Sequence, residues 1–524
     1  MIILVEEEIT ETKQKQEAYL DVENLKTQFF TNRGIVKALD NVSFHINRGE
    51  IYGLVGESGC GKSVTATSVI DLIPDPPGRI INGKIILNGF NILGDLDKLA
   101  KIKIISETNV KIKRRKRLIK RHNFVMSRIR GDKVAMIFQE PSLALNPVIR
   151  IGDQIMENIL LHKRIDIANS IIRREGATRK DYEPFVDRIL SLSDKIQISR
   201  EIKNWCDMYA VSDVEDIVKN LFSTYKDREI IIRDLEKVVS EERSGTDIHR
   251  IARARDYYRY EQKLFDLTLK EIEAESTNNQ NALRDVRDKM ANLKRENPGV
   301  TSFKWSIKFM GKRIDAPFKK AARRRTLELL TLVNIAEPSR VIDSYPHELS
   351  GGMQQRALIA MALASDPSLL IADEPTTALD VTTQAQILDL IRDLNNLTQA
   401  SVLFITHDLA VIAEMCNRVG VMYAGNIVEE ASVTDIFENP KHPYTTGLLQ
   451  SIPRVDKAGI RMMKLETIPG NVPNLITPPT GCRFHPRCKF KMDICETSKP
   501  KLVDLGGNHK VACFLYSTEE EVQQ

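Results

Sequence analysis

One stretch limits the folds open to this 524-residue chain more than any other. Gly56-Glu57-Ser58-Gly59-Cys60-Gly61-Lys62-Ser63 lies between the apolar run Ile51 to Val55 and the run Val64 to Ile70. A buried strand that ends in a glycine-rich turn and continues into a helix builds an anion site. The helix N-terminus aims its unbonded N–H groups and its partial positive charge at the turn. Gly56, Gly59 and Gly61 let backbone N–H groups approach phosphate oxygens where a Cβ would intrude. Lys62 supplies a point charge to the β- and γ-phosphates, and the Ser63 hydroxyl is a hard oxygen ligand suited to Mg²⁺. The loop predicts an α/β core and a bound nucleotide. Alone, it does not say what the nucleotide drives.

Three further strand ends carry polar groups of the right chemistry. Asp373 closes the apolar run Leu369 to Ala372, which sets a carboxylate at the sheet's C-terminal edge, where it can hold Mg²⁺ through water. Glu374 comes next. Thr406-His407-Asp408 follows Val402 to Ile405, and Gln139 follows Ala135 to Phe138 and precedes Glu140-Pro141. An Asp-Glu pair at a strand end is commonly a solvated terminus, and a lone His is more often structural. Here each directly follows a buried run.

The run Leu349-Ser350-Gly351-Gly352-Met353-Gln354-Gln355-Arg356 narrows the reading, because with the phosphate loop it resembles the ATP-binding-cassette (ABC) family. That resemblance implies a clamp of two cassettes closing on ATP. One chain would supply Gly56, Glu57, Ser58, Gly59, Cys60, Gly61, Lys62, Ser63, Gln139, Asp373, Glu374 and His407. The other would supply Ser350, Gly351, Gly352 and Gln354. By the same resemblance Glu374 polarises the attacking water, His407 contacts the γ-phosphate, and Gln139 contacts Mg²⁺ and that water. Ala378-Leu379-Asp380 matches the loop that links the two sites. Phe29 sits where the family stacks a ring on adenine; Phe30 is the adjacent alternative, and core packing competes with both.

Composition agrees with a peripheral subunit. Hydrophobic residues make up 42% and charged residues 28%, both globular values. No apolar run approaches the ~18 residues that span a bilayer. Met1-Ile2-Ile3-Leu4-Val5, followed by three glutamates, has neither a basic start nor a long apolar segment, so no signal peptide is expected. A net charge of +5 is too small in a chain this size to argue for nucleic acid.

Beyond the cassette, Asn439-Pro440-Lys441-His442-Pro443-Tyr444-Thr445-Thr446-Gly447 leads to Ile468-Pro469-Gly470. Then comes Pro478-Pro479-Thr480-Gly481-Cys482-Arg483-Phe484-His485-Pro486-Arg487-Cys488. This resembles the tail of the oligopeptide/dipeptide-importer ATPases, a branch that also serves nickel. Four of the seven cysteines, Cys482, Cys488, Cys495 and Cys513, fall here with spacing C-x5-C-x6-C-x17-C. Disulfides are disfavoured in a cytosolic ATPase. Zinc usually shows a short C-x2–4-C knuckle, absent from this spacing. Unliganded thiols are a further alternative. Irregular spacing suits a [4Fe–4S] cluster, which some members of the resembled branch carry, and a structural cluster is the expectation.

Two insertions interrupt the family pattern. Residues 101–122 include Lys111-Ile112-Lys113-Arg114-Arg115-Lys116-Arg117 and read as a solvated basic loop, with attraction to anionic lipid as the sharper alternative. Residues 166–317 are highly charged, poor in glycine and helical in spacing, as at Leu264, Leu267 and Ile272. They are expected to be helices that enlarge the cassette's helical subdomain. Long helices in this place also occur in chromosome-maintenance and repair ATPases of the superfamily. However, about 150 residues without sustained heptads is short for such an arm, at ~1.5 Å per helical residue.

The expected fold is therefore α/β: a P-loop ABC core with an antiparallel β-subdomain, an enlarged helical subdomain and a small cysteine-bearing C-terminal domain. Residues 1–19 form an N-terminal tail, 20–440 the nucleotide-binding domain and 441–524 the C-terminal domain. By resemblance the chain hydrolyses ATP at the cytoplasmic face of the cell membrane. It would work with a second ABC ATPase subunit, identical or homologous, two membrane permeases and an extracytoplasmic solute-binding protein, and without nucleic acid.

Overall fold

The computed structural model describes residues 18–94, 96–106, 109–209, 211, 215–243, 245, 247–277, 279–297, 316–377, 379–451 and 468–516. Most of the expected tail 1–19, Ala378 of the linking loop and residues 298–317 short of 316 lie outside these. The chain divides into two compact units: residues up to Arg114 with Leu369–Glu374 and Ile391 onward, and residues Arg115–Ser368 with Pro375–Leu390.

In the first unit, strands β1 (Ala18–Thr31), β2 (Gly34–Asn47), β4 (Gly78–Leu87) and β5 (Phe90–Asn91) form an antiparallel sheet in the order β2-β1-β4-β5. In β2 the buried Val42, Phe44 and Ile46 alternate with the partly buried Ser43, His45 and Asn47, the pattern of a sheet with one covered face. β6 (Ala100–Ser106) and β7 (Asn109–Arg114) pair as a separate antiparallel hairpin. The first insertion is thus not a plain loop. Lys101-Ile102-Lys103-Ile104 has the period of a strand, and its lysines hid that signal in a tally of basic residues.

The core sheet is built on β3 (Ile51–Val55), with β9 (Leu369–Asp373), β10 (Ser401–Thr406), β11 (Arg418–Tyr423) and β12 (Asn426–Ser432). β10 runs parallel to both β3 and β9, and β11 runs parallel to β3. Every residue of β3, β9 and β10 is buried, which explains why they read as continuous apolar runs and not as alternating ones. Register matters most for function. Thr406 stands opposite Val55, and Ile405 opposite Asp373. Three parallel strands therefore end at one level, and the residues that follow them share one edge of the sheet.

The C-terminal segment joins the same unit. β14 (Lys510–Val511) pairs antiparallel with β12 and with β13 (Val503–Asp504). Arg483 is buried, donates to the Ala424 carbonyl and, at 3.0 Å, to Asp40. Phe484 packs against Tyr423 and Tyr444, with ring centroids 5.2 and 5.4 Å away.

The second unit carries β8 (Val134–Ile137) and is otherwise chiefly helical. Within residues 166–317 the helices Arg179–Ser191, Lys195–Tyr209, Glu215–Thr224 and Arg228–Glu242 surround a core of their own, where Phe185 stacks on Trp205 at 4.7 Å. Their ends are cut by local chemistry. Thr178 and Asp181 form a reciprocal capping box, and Asp227 accepts from the N–H groups of Glu229 and Ile230. The longer helix Ile248–Ser276 is tied to the helix Lys116–Ile129 by Arg121, which pairs with Glu271 and Glu275 at 2.7 and 3.0 Å. Among the described residues no helix is long and apolar enough to cross a membrane.

Candidate active site

The phosphate loop fills the turn between β3 and the helix Lys62–Val69. Gly59 and Gly61 hold φ of 78° and 111°, backbone states that a side chain disfavours. A Cβ on Gly56 would come within 2.1 Å of the Met422 carbonyl oxygen, so glycine is sterically required there. The buried Lys62 ammonium donates to the carbonyls of Gly56 at 2.8 Å and Glu57 at 3.3 Å. Cys60 is fully buried within the loop, and burial raises its thiol pKa.

The expected metal and water ligands converge on this loop from the neighbouring strand ends. The Ser63 hydroxyl donates to Asp373 at 3.1 Å. Burial pushes the Asp373 carboxyl up to about 6; the Ser63 hydrogen bond and Lys62 oppose the rise, and the charge of Glu374 adds to it. Glu374 lies 4.0 Å from Lys62 and 3.3 Å from Nδ1 of His407. Its N–H donates to the Ile405 carbonyl at 2.9 Å and its φ is 46°, a left-handed conformation costly for a glutamate and typical of functional positions. His407 is 59% exposed in its side chain, so its ring faces solvent at the site. A hard-oxygen pair beside a glycine cradle and an ammonium suits a Mg²⁺–triphosphate.

Phe29 is half-buried in β1, with its ring against Gly78 across the β1–β4 pair. Gln139, two residues beyond β8, belongs to the second unit. In that unit Ser350 caps the helix Gly351–Leu363, its hydroxyl accepting from Met353 N–H at 3.4 Å. Gln354 donates back to the Pro346 and Leu349 carbonyls, and a Cβ on Gly352 would touch Thr383 at 3.0 Å. Ser350 and Gly351 are exposed. Asp380 caps the next helix through Thr383, accepting from its N–H at 3.0 Å and its hydroxyl at 2.7 Å, and these bonds lower its pKa.

Two residues at the phosphate loop were not assigned a role from the sequence. The Tyr444 hydroxyl accepts from Glu57 N–H at 2.9 Å, and Arg487 pairs with the Glu57 carboxylate at 2.6 and 3.0 Å. Arg487 is 430 positions from Glu57, too far for any local pattern to join them.

The expected iron–sulfur cluster is corrected. Cys482 N–H donates to the Cys495 carbonyl, so part of the tail is brought together. Yet among the described residues no three His, Cys, Asp or Glu are placed to hold a metal ion. Burial pushes the Cys482 and Cys513 thiols up to about 11 and raises Cys488. The tail is secured by Arg483, Arg487, Phe484 and its strand pairing.

A phosphate loop, an Asp-Glu strand end and a following His on one parallel sheet edge define a P-loop ATPase. The ABC transporter family model matches residues 39–221 and 233–377, and the model of the oligopeptide/dipeptide transporter C-terminal region matches residues 428–495. The chain is 33% identical over 500 residues to a probable peptide ABC transporter ATP-binding protein of Sinorhizobium fredii, covering 95% of this chain and 96% of that protein. It is 33% identical to the oligopeptide transport ATP-binding protein AppD of Bacillus subtilis, over 95% of this chain and 97% of the relative. With the dipeptide transport ATP-binding protein DppD of the same organism it shares 30%, over 96% and 97%. The chain belongs to the ABC transporter family, as an ATP-binding subunit of its oligopeptide/dipeptide branch. It is a transport ATPase, and subunits of this kind act at the cytoplasmic face of the membrane; full-length similarity to transport subunits disfavours the DNA-repair reading.

Proposed function

We propose that the chain energises the import of peptides, hydrolysing ATP in a clamp formed with a second ABC ATPase subunit. The observation that carries this reading is the convergence of Ser63, Asp373, Glu374 and His407 on the phosphate loop. Lys62 neutralises the β- and γ-phosphates, and Ser63, Gln139 and Asp373 would hold Mg²⁺, which would supply further positive charge to the phosphates. Glu374 orients the attacking water and accepts its proton, and His407 fixes the γ-phosphate. Phe29 stacks on adenine. Ser350, Gly351, Gly352 and Gln354 act in trans, and Asp380 links the paired sites. The exposure of Ser350 and Gly351 supports that role, since a surface that closes on a partner's nucleotide has to be accessible beforehand.

The second unit acts as the helical subdomain, enlarged by residues 166–317 and coupled to two membrane permeases. Residues 20–440 serve as the nucleotide-binding domain and 441–524 as a C-terminal domain. The permeases receive peptide from an extracytoplasmic solute-binding protein. Reconstitution with the permeases and a second ATPase tests this: peptide-loaded binding protein should raise ATP turnover, and turnover indifferent to it would sink the importer reading.

A further inference from the structure

We propose that Arg487 and Tyr444 are positioning residues of the ATP site, which hold the phosphate loop in shape by gripping both ends of Glu57. The proposal rests on the reading of Gly56 to Ser63 as the nucleotide's phosphate loop. Glu57 is the second residue of that loop. Its N–H donates to the Tyr444 hydroxyl at 2.9 Å, and its carboxylate takes a two-pronged pair from Arg487 at 2.6 and 3.0 Å. The carbonyl of the same residue accepts from the Lys62 ammonium at 3.3 Å. A shift of Glu57 is therefore a shift of an acceptor on the lysine that meets phosphate.

The grip is itself built. Arg487 is buried, its Nε donates to the Pro469 carbonyl at 2.8 Å, and its guanidinium reaches the Tyr423 hydroxyl at 3.4 Å. Tyr444 is fully buried, 4.6 Å from the Tyr423 ring. Tyr423 follows Met422, whose carbonyl leaves no room for a side chain at Gly56. Both flanks of the loop's first peptide thus lean on one cluster. Planar two-pronged pairing fixes direction as well as distance, which a lysine in place of Arg487 would do less well.

The test compares full-length variants by titration with ATP and by kcat and KM for hydrolysis. Arg487→Met and Glu57→Gln are each expected to weaken ATP binding about 10-fold, the scale of a charge-assisted hydrogen bond, and to raise KM with kcat largely kept. The double variant should bind ATP no worse than either single one, because both remove the same contact. Arg487→Lys should restore part of the loss, and Tyr444→Phe should weaken binding a few-fold without opening a cavity. If Arg487→Met does not fold, Glu57→Gln and Tyr444→Phe still decide the matter. Parental ATP affinity in those two variants, or fully additive losses in the double variant, would overturn the proposal and leave Arg487 as an anchor of the tail. Lys62→Ala separates the two readings: its loss of ATP binding upholds the phosphate loop whatever Arg487 does, and its normal binding would overturn both.

Discussion

Ser63 and Asp373 are 310 positions apart in the chain, and their side chains meet at 3.1 Å. β3 and β9 flank β10 in parallel, so the residue after one strand's turn reaches the last residue of another. The site is thus assembled by sheet register. Burying Asp373 at this junction sets its proton affinity as well as its position.

That proton affinity predicts a pH-dependent metal requirement. If Asp373 holds Mg²⁺ as proposed, protonation near pH 6 would compete with the metal, because burial raises the carboxyl pKa and only the ionised form binds a cation. The Mg²⁺ concentration for half-maximal ATPase activity should be flat above about pH 7 and rise about tenfold per unit below about pH 6. A requirement constant down to about pH 5 would remove Asp373 from the metal site.

Glu374→Gln should bind ATP yet hydrolyse it about 10²–10⁴-fold more slowly, since an amide cannot take a proton from water. The left-handed φ of 46° persists with glutamine, so geometry is kept while basicity is lost. The variant should accumulate as an ATP-bound dimer in size-exclusion chromatography. Near-parental turnover would exclude Glu374 as the base.

Ser350→Arg should spare ATP binding by the single subunit and abolish hydrolysis. The exposed cap loses its bond to Met353 N–H, a loss of about 1 kcal/mol, while arginine obstructs closure over a partner's γ-phosphate. Loss of ATP binding in the isolated variant would place this residue at its own chain's nucleotide and defeat the clamp.

Trp205→Ala should loosen the helices of residues 179–242 without altering ATP affinity. Trp205 is 4% exposed and stacks on Phe185, and removing so large a buried ring costs about 3–5 kcal/mol. Hydrogen exchange should speed up across 179–242. Unchanged protection there would show that the cluster is held by other contacts.

Metal removal should leave the tail intact. Dialysis of anaerobically purified protein against a chelator should not lower its melting temperature, because a metal that held the folded state would stabilise it by mass action. A drop of several degrees, with one equivalent of iron or zinc released, would contradict the absence of a ligand set among the described residues.

Local chemistry was readable where it is local. The apolar runs at β3, β9 and β10 announce buried parallel strands, and Gly56 to Ser63 carries its own steric logic. Pairings were not readable, since Ser63 with Asp373 and Glu57 with Arg487 depend on register across the sheet. The cysteines misled because spacing says which thiols are near in sequence but not whether three of them point inward together. Arg487 was visible within Phe484-His485-Pro486-Arg487, yet nothing in that motif names its partner.

The pairing of β14 with β12 has a consequence for anyone shortening the gene. Glu429 in β12 is fully buried and accepts from His509 at 2.7 Å and from the N–H groups of Lys441 and His442. A stop codon placed at the end of the recognisable cassette would strip that carboxylate of its histidine and open the outer rim of the core sheet. Such a strand invites a neighbour's, so the trimmed product should precipitate. The expected boundary at residue 440 thus falls between Glu429 and the histidine that pairs with it.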